Sequence, residues 1–534
     1  MAAAGKPLPL LSRVLRHPRT ALAVVEQHTQ GISKTTFGDL VLTSSALASN
    51  LQRQLHGAGP SRTAYLLPPS SSYISASLAS LAVGTACVPF CTSHTVAELS
   101  YYLSDSKPKV VLAQGEEFLD RATKAVESAD LKGKTAVLDY DEVSSVGDMS
   151  ADDAYSTGLL ATARASLEDP ALFIYTSGTT GKPKGVVSTH GSFTAQITDL
   201  HEAWEWSSDD YILHYLPLHH VHGIQNKLNC ALFAGATVEF LKFDASNIWS
   251  RLAADDKPNP TLMMGVPTVY AKLLEESRTL SKTSQETLDK GVDACKDMRL
   301  HVCGSAALPS AVMQAWKGLT GHTLLERYGM SELGMALGNP YNGDRHEGHV
   351  GLPFPSVEVR ICDPDTNEEV PKGSGSGELQ VRGGTVFKEY FGKPEATAKE
   401  FKDGWFCTGD IAEFNTKINS YKILGRASVD IIKSGGYKIS ALDIEREILE
   451  HDCVEEAVVV GVEDDMKGEI ICVLLRLKAG VTTEVDAFGE GGLKGWMKGF
   501  TAPYKQPSKV QIMEEIPKNA MGKYAKKELK KLFL

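Results

Sequence analysis

The sequence contains no Cys-X-X-Cys pair, and its nine cysteines are scattered, Cys87 and Cys91 being the closest two. An odd number without close pairs excludes a complete disulfide framework and fits a reducing compartment. Long apolar runs are missing too. The most apolar stretch, Tyr73 to Phe90, is broken by serines, by Gly84-Thr85 and by Pro89. It reads as a small-residue helix running into a strand, not as a transmembrane segment. Positive charge is in deficit, with 55 Lys and Arg against 66 Asp and Glu, a formal charge of −11. That argues against nucleic acid or an anionic membrane as partner, so any phosphate site has to gather its own lysines and arginines. Internal repeats and low-complexity tracts are absent as well.

What remains is an ordinary globular composition, 42% hydrophobic and 23% charged over 534 residues, long enough for several domains. Lys6, Arg13, Arg16 and Arg19 come before the first acidic residue, Glu26, a weak match to a mitochondrial presequence. The favoured reading takes Arg16 to Val25 as part of the domain. It expects a cytoplasmic enzyme, with the mitochondrial matrix as the alternative.

From Phe37 to about Gly235, helical patterns alternate with short apolar runs: Ala64 to Leu67, Val110 to Ala113, Thr135 to Leu138, Ala171 to Tyr175. Such alternation predicts a layered α/β architecture with much parallel sheet. Val357 to Val381 is β-rich, with turns at Asp363-Pro364-Asp365 and Gly373 to Gly377. After Gly425 the texture is α+β: a capping-box pair Ser440/Asp443, strand-like runs Ala457 to Val462 and Ile470 to Leu477, and a Lys-rich terminal helix. The predicted fold class is therefore α/β. A large N-terminal domain of layered α/β subdomains plus a β-rich part spans residues 1–424, and a small α+β C-terminal domain spans 425–534.

The most informative segment is Thr176-Ser177-Gly178-Thr179-Thr180-Gly181-Lys182-Pro183-Lys184-Gly185, entered directly from the apolar run Leu172 to Tyr175. Convergent backbone N–H groups, hydroxyls and two lysines are what a polyphosphate requires. The spacing is not that of a Walker A loop, since Gly181-Lys182 is followed by proline. Val186-Val187-Ser188 reads as a second strand, so no helix N-terminus serves as the anion site.

This loop resembles the signature of the adenylate-forming superfamily of acyl-CoA synthetases, luciferases and peptide-synthetase adenylation domains, and further blocks follow in that family's order. The resemblance implies that Thr176, Ser177, Gly178, Thr179, Thr180 and Lys184 embrace the β- and γ-phosphates of ATP. In Glu326-Arg-Tyr-Gly-Met-Ser-Glu332, placed after a strand at Thr323 to Leu325, it implies that Tyr328, Gly329, Met330 and Ser331 line the nucleotide and that Glu332 holds Mg²⁺. It assigns Asp410 to the ribose diol and Arg426 to the ribose or a phosphate. Lys523 becomes the catalytic lysine, carried on a mobile C-terminal domain; Lys526, Lys527, Lys530 and Lys531 read as a solvated face. Ser434, Gly435, Gly436, Tyr437 and Lys438 are expected to line a tunnel for coenzyme A. The hinge falls at Ser428 or Asp430, because Asp430 lies four residues after Arg426 where the family has three.

Leu216 to Gly223, Gly265 to Lys272 and Met298 to Pro309 resemble malonyl-CoA synthetases in particular, as do Glu326 to Met330 and Ser428 to Lys433. The implied reaction adenylates malonate, or methylmalonate, with release of pyrophosphate, and passes the acyl group to CoA. A second carboxylate in a buried pocket needs a cation. The candidates are Lys272 and Arg299, with Ser305 and His220 as added donors. His219, His220 and His222 lack a fourth ligand at a sensible spacing, which argues against zinc. Rival readings are a medium- or long-chain fatty or aryl acid CoA ligase, a carrier-protein-loading adenylation enzyme, and a silent nucleotide-binding protein. The oligomeric state is not set by the sequence.

Overall fold

The computed structural model describes residues 8–28, 31–55, 61–147, 149–155, 166–176, 182–434, 437–464, 466–481, 492–497, 503–518 and 524–534. The chain opens with β1 (Leu22–His28) and β2 (Gly31–Thr36), followed by β3 (Ser61–Leu66), β4 (Thr85–Pro89), β5 (Val110–Ala113), β6 (Ala136–Asp139), β7 (Pro170–Thr176) and β8 (Lys184–Thr189). Then come β9 (Tyr211–His214), β10 (Thr237–Phe240), β11 (Leu262–Gly265), β12 (Leu300–Gly304), β13 (Leu325–Met330), β14 (Gly334–Gly338) and β15 (Leu352–Pro353). The β-rich part supplies β16 (Val357–Cys362), β17 (Ser376–Gly383), β18 (Glu389–Tyr390), β19 (Phe401–Lys402), β20 (Trp405–Asn415) and β21 (Ser420–Arg426). The last five are β22 (Ile431–Ser434), β23 (Tyr437–Ser440), β24 (Val454–Asp464), β25 (Gly468–Leu477) and β26 (Lys509–Ile512).

Two large sheets dominate. One runs β18-β8-β7-β4-β3-β5-β6, the other β15-β14-β13-β12-β11-β9-β10-β1-β2. Their central strands are parallel, and their edges β8, β18, β14, β15 and β2 are antiparallel. Parallel strands covered on both faces need apolar side chains throughout; Val110 to Ala113 are buried at every position. The helix Ser71–Ala82, capped by the Ser70 hydroxyl, is buried from Tyr73 to Ala82. Its serines and alanines allow close approach on every side, so the apolar stretch is an interior helix. One apolar cluster takes in Leu172 of β7, Ile74 and Leu78 of this helix, and Ile212 of β9, thereby joining the two sheets. No helix among the described residues is long and apolar enough to cross a membrane, and no disulfide joins the cysteines among the described residues.

A third, antiparallel sheet runs β16-β17-β20-β19 with β21 on β20, and a fourth, after Arg426, runs β23-β22-β25-β24 with β26 on β25. The helix Ala441–Ile448 starts where the Ser440 hydroxyl accepts from Asp443 N (3.1 Å). The Asp443 carboxylate pairs with Lys422 at 3.1 Å and Arg446 at 3.0 Å, which ties this helix to β21. The terminal lysine-rich helix is shorter than the sequence implied: Lys526–Leu529, then a 3₁₀ turn at Lys530–Phe533. The segment placed after a strand, Glu326 to Met330, lies inside β13.

Candidate active site

β7 and β8 form the hairpin expected around the glycine-rich loop, closed by the pair Thr176↔Lys184. Ser177, Gly178, Thr179 and Thr180 lie outside the described residues. The stem is braced from one side. The Tyr101 hydroxyl donates to the Pro183 carbonyl (2.6 Å). The Tyr175 hydroxyl donates to one oxygen of Asp105 (2.9 Å), while Lys393 pairs with the other (2.8 Å).

Tyr390 in β18 pairs in register with Val186 of β8. Its ring centre is 4.3 Å from Lys184 Nζ, and its hydroxyl donates to Glu332 Oε1 at 2.8 Å. One tyrosine thus joins the hairpin to a carboxylate far along the chain. Burial raises the Glu332 carboxyl above its ordinary value; the Tyr390 hydrogen bond opposes that by favouring the charged form. Lys184 also lies 3.8 Å from Glu400.

β13 folds back on β14 through a bulge at Tyr328/Gly329. A Cβ on Gly329 would lie 2.1 Å from the Gly334 carbonyl oxygen, so only glycine allows this return. Tyr328, Gly329, Met330 and Ser331 are half-buried along it. The Tyr328 hydroxyl donates to Asp410 Oδ2 (2.6 Å), and Arg426 Nε meets Asp410 Oδ1 (3.0 Å). Burial raises the Asp410 carboxyl, and Arg426 and Tyr328 oppose it. Three residues expected around one nucleoside form one bonded set.

At the carboxyl ends of β12 and β13 lies a second constellation. Gly304 closes β12, and a Cβ there would stand 2.7 Å from the Arg327 guanidinium carbon. Ser305 follows with φ +73°, a left-handed conformation rare for serine. Its hydroxyl accepts from Arg327 (3.4 Å) and lies 3.2 Å from His222 Nδ1. Arg327 is 3% exposed and His222 5%. Burial depresses the guanidinium to about 10 and holds the imidazole well below its ordinary value. Among the described residues no carboxylate forms an ion pair with Arg327, and Arg327 Nε and His222 Nε2 are buried without a hydrogen-bond partner. Such a group of cationic and donor groups is matched to an anion.

One expected cation is elsewhere. Arg299 precedes β12, at the end opposite Ser305, where it is committed to Asp210 (2.7 and 2.8 Å) and to the Trp204 carbonyl (2.7 Å). Arg299 is therefore corrected as a ligand of a second carboxylate: it is a structural ion pair. Lys272 is exposed on the helix Pro267–Thr283, which follows β11. His220 is half-buried, its ring 4.2 Å from that of His219. Arg327, His222 and Tyr390 are the residues that sequence reasoning missed. Alternation along a strand separates Arg327 from Glu326 and Tyr328, and that signal was available.

The AMP-binding enzyme family matches residues 11–391, and the AMP-binding enzyme C-terminal domain matches residues 443–523. The chain belongs to the AMP-binding enzyme family. It is 39% identical to "Malonate--CoA ligase ACSF3, mitochondrial" of Xenopus laevis, over 98% of this chain and 91% of that one. It is 40% identical to "Malonate--CoA ligase" of Arabidopsis thaliana, over 88% and 78% respectively. Among solved structures it resembles ATP-bound MatB from Rhodopseudomonas palustris, with a TM-score of 0.82, 32% identity and 99% of both chains covered. The fold is that of adenylate-forming enzymes.

In this AMP-binding enzyme, Lys523, and Gly435 and Gly436, which were expected to line a tunnel, lie outside the described residues. Ser434 is buried at the end of β22. Tyr437 is half-exposed and stacks on Tyr504, with ring centres 4.3 Å apart; of Lys438 the structure describes the backbone, in β23. Ser428 is exposed. Asp430 is buried, accepts from Arg426 N (2.9 Å) and pairs with Lys526 (2.6 Å), which also meets Glu445 (2.7 Å). Lys526 is therefore not part of a solvated face: two buried carboxylates hold it.

Proposed function

We propose that this chain is an ATP-dependent malonate–CoA ligase that forms malonyl-AMP with release of pyrophosphate and then transfers the malonyl group to coenzyme A. The observation that carries the reading is the group that buried Arg327 and His222 form with exposed Ser305, a cation with added donors and no carboxylate of its own among the described residues. A fatty or aryl acid would leave that charge unanswered, whereas the distal carboxylate of malonate, or of methylmalonate, answers it. The names of the frog and Arabidopsis relatives point the same way.

In this reading Lys184 and the hairpin from Thr176 to Thr180 hold the β- and γ-phosphates, Tyr328 the purine, and Asp410 with Arg426 the ribose. Glu332 is the oxygen ligand for Mg²⁺. A single carboxylate beside a triphosphate suits an ion that keeps several waters and takes phosphate oxygens. Bound there, Mg²⁺ supplies positive charge that offsets the polyphosphate. The reacting carboxylate attacks the α-phosphorus, and charge gathers on the oxygens around it. Lys523 neutralises that charge when the C-terminal domain, residues 425–534, closes on residues 1–424; loss of one such stabiliser costs roughly 10²–10³ in rate. Reopening then turns Ser434 to Lys438 toward the thiol. Asp430 is the better hinge, because its buried carboxylate contacts both the strand before it and the terminal helix, whereas Ser428 is exposed.

The test is pyrophosphate release with malonate, methylmalonate, acetate, octanoate and coumarate, each with and without CoA. Malonate is expected to lead, with thioester formed only when CoA is present. Preference for octanoate or coumarate overturns the reading. For location, the frog relative's printed name favours the mitochondrial matrix over the cytoplasm, and imaging of a C-terminal fluorescent fusion separates the two.

A further inference from the structure

Lys227 is 0% exposed, yet among the described residues it forms no ion pair. Its Nζ donates to the Met264 carbonyl at the end of β11 (3.0 Å) and sits 3.8 Å from the centre of the Tyr215 ring. It belongs to the π-helix His222–Asn229, whose i→i+5 bonding stacks residues five apart. His222, which meets Ser305, and Lys227 therefore share a face. The ammonium is close enough to His222 and His214 to lower the proton affinity of both rings.

The titratable groups beside it are His214 at the end of β9, Tyr215 just after it and His222 on its own helix; Tyr215 in turn neighbours Cys303 on β12 and Cys295 on the helix Gln285–Asp297, and His222 neighbours Arg327 on β13. None supplies negative charge at neutral pH: burial keeps both thiols and the phenol protonated. Burial likewise pushes the Lys227 ammonium well below the ordinary lysine range. A lysine that served only to fill this space would be better replaced by methionine. What the position offers is an amine that can acquire charge when an anion arrives.

We propose that Lys227 is a specificity-determining residue that takes up a proton as a dicarboxylate enters, giving the distal carboxylate a second buried positive charge in addition to Arg327. The proton comes from solvent to the amine lone pair and returns when the acyl group leaves; no covalent bond changes. This rests on the malonate reading above. A monocarboxylate brings no charge to that end of the pocket, leaves Lys227 neutral and is disfavoured by the unanswered Arg327.

The experiment titrates malonate, in the presence of a non-hydrolysable ATP analogue, into wild type, Lys227→Met and Lys227→Gln by calorimetry in neutral buffers of different ionisation enthalpy. Steady-state kinetics with malonate and with propionate accompany it. Wild type is expected to take up about one proton per malonate, and both variants none. Both variants are expected to raise the KM for malonate by roughly 10²-fold, to leave that for ATP within about twofold, and to narrow the preference for malonate over propionate. Lys227→Gln keeps a donor for Met264, so its loss reports charge rather than the hydrogen bond. Malonate kcat/KM within about threefold of wild type in the variants, or unchanged proton uptake, overturns the inference while leaving the malonate reading intact. A wild type inert toward malonate overturns both.

Discussion

Lys526 Nζ lies 2.6 Å from Asp430 Oδ1 and 2.7 Å from Glu445 Oε1, so the terminal helix is fastened to the proposed hinge and to the helix Ala441–Ile448 at one buried point. The Lys526 side chain is 10% exposed. Burial alone would lower its ammonium, and the two carboxylates outweigh that and hold it above the ordinary lysine value.

Removing this cation strands two carboxylates in the interior. Lys526→Met is expected to destabilise the C-terminal unit by about 3–5 kcal/mol, and Lys527→Met, at an exposed neighbour, by no more than about 0.5 kcal/mol. Thermal melts of both variants decide it. Because the folded ammonium is held above its unfolded value, this stabilisation is complete below the unfolded lysine pKa and disappears as pH rises through the folded one. The gap between wild type and Lys526→Met is therefore expected to persist at neutral pH and to close in strong alkali.

Tyr390→Phe removes the hydroxyl that favours the charged form of Glu332. The raised carboxyl is then expected to rise further, so activity is lost at a higher pH as the medium is acidified. A hydrogen bond to a charged group is worth about 1.5–3 kcal/mol, so the acid limb moves up by about one to two pH units. The profile of kcat/KM for Mg·ATP measures it. An unmoved acid limb excludes Glu332 as the group that titrates there.

Arg327→Met is expected to cost at least about 10²-fold in kcat/KM for malonate while leaving the melting temperature equal to or above that of wild type, since an unpaired buried charge has been removed. Arg299→Ala is expected to do the reverse. It leaves Asp210 without its bidentate partner and lowers stability by about 3–5 kcal/mol, with the KM for malonate unchanged. Kinetics and melting curves on the pair separate a substrate ligand from a structural ion pair.

Lys523→Ala is expected to abolish adenylation and to spare thioester formation from malonyl-AMP supplied preformed. Equal loss of both half-reactions removes Lys523 from the α-phosphate role.

Much of the fold was legible because buried parallel strands must be apolar at each position; Val110 to Ala113 came out with the boundaries read from the sequence. The hairpin of the proposed nucleotide site was legible because its glycines and hydroxyls are contiguous, and Thr176 with Lys184 does close it. The acid pocket was not. Arg299 and Arg327 are equal as letters in a string, and their fates follow from which end of which strand each occupies. Lys526 was misread for a related reason: four lysines in six residues look solvated until the carboxylates of Asp430 and Glu445, distant in sequence, are brought beside one of them. Tyr390 bears on the site only through the pairing of β18 with β8, a long-range register that no local pattern announces.

Gly304 packs directly against the Arg327 guanidinium. A single methyl at this position would press within 2.7 Å of the guanidinium and oblige it to tilt or withdraw. Acid preference is thus open to retuning without touching any charged residue. Position 304 is the natural place to begin redesign toward bulkier or uncharged acyl chains, since a modest change of shape there relocates the cation proposed to meet the distal carboxylate.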